Sequence, residues 1–342
     1  MLTAIGLFLL GLVLLALGGD SIVKGAAGLA QRLGLTPFTT GLVLVAFATS
    51  LPELAVNLVA IYHGQGELAL GNAVGSNVAN IGLTLGAAAL AAPLLVRWRA
   101  LRPLQLVLVL GTIAVLALGA DGTLSRVEGC LLLLAFVAVF FFALARSRQE
   151  AADVREEISE FGQTSTMLGQ NLVRFILGTA LVWIGSKLIV GGAGMKLFGM
   201  DLSDSGAAVI GQGLGLSPVL TGLLPVAIGT ALPEVAAAVA AARRGHGNMV
   251  MGHVIGASVF NILVVVGGMA AFGALALPMT VMAPGHFALP LGYELLAALA
   301  FALMLYPVLS GEMRVSRGEG AMLLVAYGVW IAFELLLAGK SG

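Results

Sequence analysis

The sequence predicts an all-α, polytopic membrane protein of ten transmembrane helices arranged as two inverted five-helix repeats. The 342-residue chain is 59% hydrophobic and only 10% charged, with a mean hydropathy of +1.05. A soluble domain carries roughly a quarter charged residues. Two copies of one motif stand 181 positions apart, GLVLVAFATSLPELA (Gly41 to Ala55) and GLLPVAIGTALPEVA (Gly222 to Ala236). Arginines are also distributed unevenly among the loops, which sets the orientation of the spans.

The first span, near 2–30, is expected to be interrupted around Gly18 to Lys24 and to face largely into the protein. The second (37–62) carries the first motif copy. The third (68–94) continues the repeat in register as GNAVGSNVANI, Gly71 to Ile81. The fourth and fifth (103–120, 124–145) are apolar runs close to the ~20 residues that cross hydrocarbon. Arg146 to Glu160 is too charged for lipid and must lie in water. The chain therefore divides into a first repeat (1–145), a charged linker (146–169) and a second repeat (170–342). The sixth and seventh spans (170–195, 216–242) repeat the opening pattern, and the eighth (248–276) carries GHVIGASVFNI, Gly252 to Ile262. The ninth and tenth are placed near 287–308 and 318–338. From Leu33 to Gly86 roughly 23 of about 54 positions equal their partners, which marks an internal repeat.

With the N-terminus outside, eleven arginines fall in inner loops, from Arg32 to Arg317. Only Arg126, Lys196 and Lys340 fall outside. The positive-inside bias thus favours both termini outside and a cytoplasmic linker in the inner membrane of the cell. Five spans per half then insert the second repeat upside-down. The opening run lacks a basic start and reads as a span, not a cleavable signal peptide. The lone Cys130 excludes a disulfide framework, and zero net charge gives no reason to expect nucleic acid. Membrane lipid is the expected surrounding, and no cofactor is expected.

Glu53 and Glu234 carry the chemistry. An intramembrane carboxylate normally faces the bundle interior or a water-filled path and binds something. Each follows a proline, Pro52 or Pro233, expected to break the helix locally. Thr49 and Thr230 offer hydroxyl oxygens, and freed carbonyls offer more. Such hard ligands suit Ca²⁺ or Na⁺ and suit soft metals poorly. Asn80 and Asn261 are repeat partners, each 27 residues after its glutamate. Ser76 and Asn80 share one helix face, with Asn72 a further turn back. Glycines of this region, Gly71, Gly75, Gly82 and Gly86 with Gly252, Gly256 and Gly267, are read as helix-packing positions.

Other polar residues carry less. Asp20 and Lys187 lie in corresponding glycine-rich stretches, and an interfacial position is preferred over an access path. Among the histidines only His253 holds a motif position, that of Asn72. It is read as a neutral histidine in a polar cluster, with pH sensing as the alternative. Glu294 and Glu334 receive a structural reading.

At these residues the chain resembles the Ca²⁺/cation antiporter superfamily, specifically the prokaryotic sodium/calcium exchangers. The family repeats look like Gly41 to Gly86 and Gly222 to Gly267. The resemblance implies four clustered ion sites, with Glu53 and Glu234 shared between Ca²⁺ and Na⁺. It implies roles for Thr49, Ser50, Ser76 and Asn80 in the first half and Thr230 and Asn261 in the second. Backbone carbonyls near Ala46 and Ala227 would complete sodium coordination, and the first and sixth spans would slide across an eight-span core. The second repeat departs from the pattern: Ala231 stands opposite Ser50, Ala257 opposite Ser76, and His253 opposite Asn72. Around fourteen extra residues, near Gly199 to Gly213, lie on the predicted outside.

Two ionised carboxylates give an empty site a charge near −2, which one Ca²⁺, two Na⁺ or two protons would neutralise. An empty carrier would leave that charge unpaired during its transition, so the acids can enforce exchange. The expected function is a Ca²⁺/Na⁺ antiporter, with a proton-coupled cation exchanger as the alternative. No mid-membrane aspartate pair or Ser–His pair suggests an intramembrane enzyme. A passive channel remains a third reading.

Overall fold

A computed structural model describes residues 1–33, 50–96, 98–147, 159, 164–192, 194–273, 275–277, 279–283, 287–290, 292–310 and 314–338. Ala46, Thr49, most of the 146–169 linker, and Arg97, Arg148, Arg155 and Lys340 lie outside them. Among the described residues eight helices are long and apolar enough to cross a membrane, and two shorter apolar helices accompany them. In chain order the helices are α1 (Leu2–Arg32), α2 (Leu51–Tyr62), α3 (Gly66–Ala91), α4 (Trp98–Leu118), α5 (Arg126–Ser147), α6 (Leu168–Val190), α7 (Gly206–Gly213), α8 (Pro218–Arg243), α9 (Gly247–Phe272), α10 (Gly292–Ser310) and α11 (Arg317–Ala338).

Helix α1 runs unbroken through Gly18 to Lys24, contrary to the expected interruption. The glycines there serve packing. A Cβ on Gly18 would stand 2.8 Å from the Gly178 carbonyl oxygen, and one on Gly178 would stand 2.7 Å from the Gly18 carbonyl oxygen. Gly11 faces Gly185 in the same reciprocal way, and Gly25 meets the backbone at Asn171. Rising numbers on one helix thus meet falling numbers on the other, so α1 and α6 pack antiparallel with backbones in close approach. A second close approach joins α3 to α8. A Cβ on Gly71 would run into the Val219 carbonyl, and one on Gly222 into the Leu68 carbonyl.

Helices α3 and α9 form the centre, each 83% buried over its most apolar window, against 11% for α5. Large apolar side chains such as Leu9, Val13, Leu134 and Phe141 point outward, where lipid would meet them. Both central helices contain a π-helical turn, Asn80–Leu85 and Asn261–Val266. Each turn begins at one of the repeat-related asparagines. Helix α3 ends at Ala91, short of the expected 94, because Ala92 precedes Pro93 and turns extended.

Short strands fix the sense of the repeat. Strand β1 (Leu94–Leu95) pairs antiparallel with β8 (Arg314–Val315), and β2 (Thr123–Leu124) pairs with β5 (Leu275–Ala276). Leu94 and Leu275 are repeat mates, since 94 plus 181 gives 275. Gly247, the first residue of α9, abuts the Leu95 backbone, whereas β5 follows the last turn of α9. A helix of 26 residues separates the two places, about 39 Å. Repeat-related strands therefore lie at opposite ends of the bundle, and the repeat is inverted.

The extra segment after α6 forms a hairpin, β3 (Lys196–Leu197) with β4 (Met200–Asp201), and then helix α7. Asp201 accepts from the Ser203 amide at 2.9 Å and from its hydroxyl at 2.5 Å. The hydroxyl bond is the main reason the Asp201 carboxyl is held below the usual carboxylate range. A second hairpin, β6 (Met279–Ala283) with β7 (Phe287–Pro290), occupies the expected start of the ninth span, so α10 begins only at Gly292.

Candidate functional site

Glu53 and Glu234 reach one cavity by different local means. Pro52 lies in the first turn of α2, where a missing amide hydrogen is tolerated because first-turn amides have no intrahelical acceptor. Glu53 in that same turn meets the positive end of the helix dipole. The Ser50 N-cap makes no side-chain capping bond. In the second copy Pro233 lies inside α8, which continues to Arg243, so the expected break is absent there. Pro233 withholds only one hydrogen bond, the one to the Gly229 carbonyl four residues back, and the remaining turns hold the helix. The irregularity lies upstream instead, in a π-helical turn at Gly222–Val226 that contains Pro225.

The cavity has a volume of about 290 Å³ and lies between α1, α2, α8 and α9. Glu53, Glu234, Thr230, His253 and Asp20 all line it. Gly19 lets α1 approach Pro52, where a Cβ would stand 2.9 Å from the proline ring. From the two glutamates the cavity extends along α8 past Ala237 and Ala241 to Met249 at the start of α9. Asp20 also lines the cavity while its side chain stays 59% exposed, and its carboxylate accepts from the Lys24 ammonium at 2.7 Å. Lys187 stays exposed and donates to the Lys196 carbonyl at 3.0 Å.

Buried polar side chains also occupy the start of α2 and the central helices α3 and α9. Glu53 is 2% exposed and Glu234 8%, and Ser50, Ser76, Asn80 and Asn261 are each at most 2% exposed. Ser50 Oγ, Glu53 Oε2, Ser76 Oγ, Asn80 Oδ1, Glu234 Oε1 and Asn261 Oδ1 have no hydrogen-bond partner among the described residues. Buried polar atoms are nearly always paired, so each of these calls for a partner beyond the described residues, for which water or an ion would serve. The donor set is hard oxygen, which suits Ca²⁺ and Na⁺. Thr230 lines the cavity while its hydroxyl donates to the Ala227 carbonyl at 3.2 Å, so both groups belong to one small network.

The second-half substitutions change the contacts. Asn72 donates to Asn57 Oδ1 at 2.9 Å. His253 occupies the matching place but directs Nε2 to within 3.9 Å of Glu234 Oε2. Residue 238, the mate of Asn57, is an alanine and offers no acceptor. Sequence reasoning passed over Asn57, Asn77, Thr84 and Ser258, all buried with side-chain atoms that have no partner among the described residues. Asn57 lies four residues after Glu53 on the same helix face, which is the signal that could have found it. Glu294 and Glu334 each keep one buried oxygen without a partner among the described residues, and neither lines this cavity.

A profile of the sodium/calcium exchanger protein family matches residues 3–145 and 170–336. Inner membrane protein YrbG of Escherichia coli (strain K12) is 34% identical, with 97% of each chain covered. Sodium/calcium exchanger MaX1 of Methanosarcina acetivorans is 30% identical, again over 97% of each chain. A solved structure of the sodium-calcium exchanger NCX_Mj, soaked with 2.5 mM Na⁺ and 10 mM Sr²⁺, matches with a TM-score of 0.64 and 28% identity, covering 97% of this chain and 98% of that one. With that breadth of match over a helical membrane fold, the chain belongs to the sodium/calcium exchanger protein family, whose members are cation antiporters.

Proposed function

We propose that the chain is a secondary active antiporter exchanging Ca²⁺ for Na⁺ by alternating access. Glu53 and Glu234 are the shared ligands, met at mid-membrane between a first repeat of residues 1–145 and a second of 170–342. One observation carries this reading: two carboxylates, Glu53 from the first half and Glu234 from the second, line one cavity. Ser50, Ser76, Asn80, Thr230 and Asn261 supply further oxygens, with Thr49 and the carbonyls of Ala46 and Ala227. Two like charges held close in a low-dielectric interior require a cation or protons before the carrier can change its facing. A relative named as a sodium/calcium exchanger, MaX1, supports Na⁺ as the counter-ion.

The arginine distribution supports a protein of the inner membrane with both termini outside and the 146–169 linker in the cytoplasm. On that topology the cavity's extension toward Ala241 and Met249 supports an inward-facing arrangement. The deciding measurement is Ca²⁺ uptake into Na⁺-loaded proteoliposomes. Uptake should require the outward Na⁺ gradient, and equal uptake without it would sink the proposal.

A proton-coupled exchanger is the second reading. It is favoured by Ala231 and Ala257, which deprive the second half of two hydroxyl ligands present in the first. Ca²⁺ uptake driven by a pH gradient in the absence of Na⁺ would select it.

A further inference from the structure

The second half of the site has exchanged oxygen for nitrogen. Ala231 and Ala257 replace the two serines of the first repeat, and both are fully buried, at 1% and 0% exposure. In the same half His253 replaces Asn72, is buried, and lines the cavity with Glu53, Thr230 and Glu234. An imidazole thus stands where the repeat pattern calls for an amide.

The spacing gives that imidazole a function. His253 Nε2 and Glu234 Oε2 are 3.9 Å apart. That is too long for a hydrogen bond. Two ligands that each stand about 2.1 Å from one ion at the tetrahedral angle are about 3.4 Å apart, so the pair would close by about half an ångström around a shared metal. Na⁺ and Ca²⁺ prefer oxygen and gain little from an imidazole. Zn²⁺ and similar divalent transition metals bind imidazole well, particularly beside a carboxylate.

We propose that His253 is a specificity-determining ligand that, with Glu234, admits divalent transition-metal ions of the Zn²⁺ class to the exchange site. The inference rests on the reading of Glu234 as an ion ligand. A carboxylate and an imidazole from neighbouring helices α8 and α9 would grip the metal. Glu53 lines the same cavity and would complete the charge balance.

The test uses the whole protein in proteoliposomes, with Zn²⁺ competing against Na⁺-dependent Ca²⁺ uptake. Zn²⁺ should compete, and in His253→Asn the ratio of Zn²⁺ to Ca²⁺ apparent affinity should fall about tenfold or more. An unchanged ratio overturns the proposal while leaving Ca²⁺/Na⁺ exchange standing. Absence of any Ca²⁺ uptake by the unsubstituted protein removes the underlying reading as well. X-ray absorption of the unsubstituted protein loaded with one equivalent of Zn²⁺ covers the case in which the variant does not fold. An imidazole in the metal's coordination shell supports the assignment, and an all-oxygen shell overturns it.

Discussion

Asn72 donates a 2.9 Å hydrogen bond to Asn57 Oδ1, joining α3 to α2 one turn beyond Glu53, with both residues completely buried. The equivalent pair in the second half is His253 and Ala238, which cannot make that bond. The first half therefore positions its glutamate-bearing helix through an amide pair. In the second half the residue at the amide's place turns toward the acid itself.

Removing both partners of the amide pair should cost less than the sum of removing each alone. Asn57→Ala leaves the Asn72 amide buried without its acceptor, a loss of about 1–3 kcal/mol. Replacing both asparagines with leucine removes the orphan and should cost less than twice that. Thermal unfolding in detergent checks this, and a double variant as unstable as the sum of the two singles would contradict it.

The α1–α6 contact makes a sharper prediction. Gly18→Ala places a methyl 2.8 Å from a backbone carbonyl and a backbone amide of α6, which no side-chain rotation relieves. The helices must separate, at about 1–3 kcal/mol. Gly6 lies on the same helix with nothing within 4 Å of a Cβ, so Gly6→Ala should be near neutral. Melting temperatures of the two variants decide the matter. Equal effects would show that close packing at Gly18 is not what holds the pair.

Charge removal at the site should act symmetrically. Glu53→Gln and Glu234→Gln each leave a single carboxylate, which cannot balance a divalent ion as the pair can. Exchange of Ca²⁺ should fall on the order of 10²-fold or more in both, because a buried charge pairing has lost one member. Initial rates of Na⁺-dependent Ca²⁺ uptake test this. Full activity in either variant would assign the ion to the other half alone.

The broad architecture was legible because hydropathy, repeat and arginine bias all report on the same physical constraint, the membrane. Glu53 and Glu234 were legible because an acid in an apolar span is costly and these two recur at one spacing. What the sequence hid is mostly local geometry. The π-helical turns that begin at Asn80 and Asn261 depend on how α3 and α9 pack, and no residue preference announces them. Pro52 and Pro233 share a motif, yet one stands in the first turn of α2 and the other inside α8. Gly18 and its neighbours could signal either a break or a close approach, and only the partner helix decided between them. Asn57 and Asn77 were passed over because their mates, Ala238 and Ser258, are different residues, so a search by repeat identity does not find them.

The hydroxyl asymmetry yields the last prediction. Among the described residues Ser50 and Ser76 keep unpartnered hydroxyls, at 1% and 2% exposure, while Ala231 and Ala257 hold the equivalent buried places. Ala231→Ser and Ala257→Ser add one hard oxygen each to the poorer half. Without an ion, the added buried hydroxyl should destabilise the protein by about 1–3 kcal/mol. Bound Na⁺ would satisfy that oxygen, so Na⁺ should restore stability in the variants by more than it stabilises the unsubstituted chain. The reason is linkage: a ligand that binds the folded state more tightly raises its stability further at the same concentration. Melting temperatures across a Na⁺ titration, with choline as the control cation, measure the difference. A Na⁺-induced shift no larger in the serine variants than in the unsubstituted protein would mean that positions 231 and 257 do not face the ion.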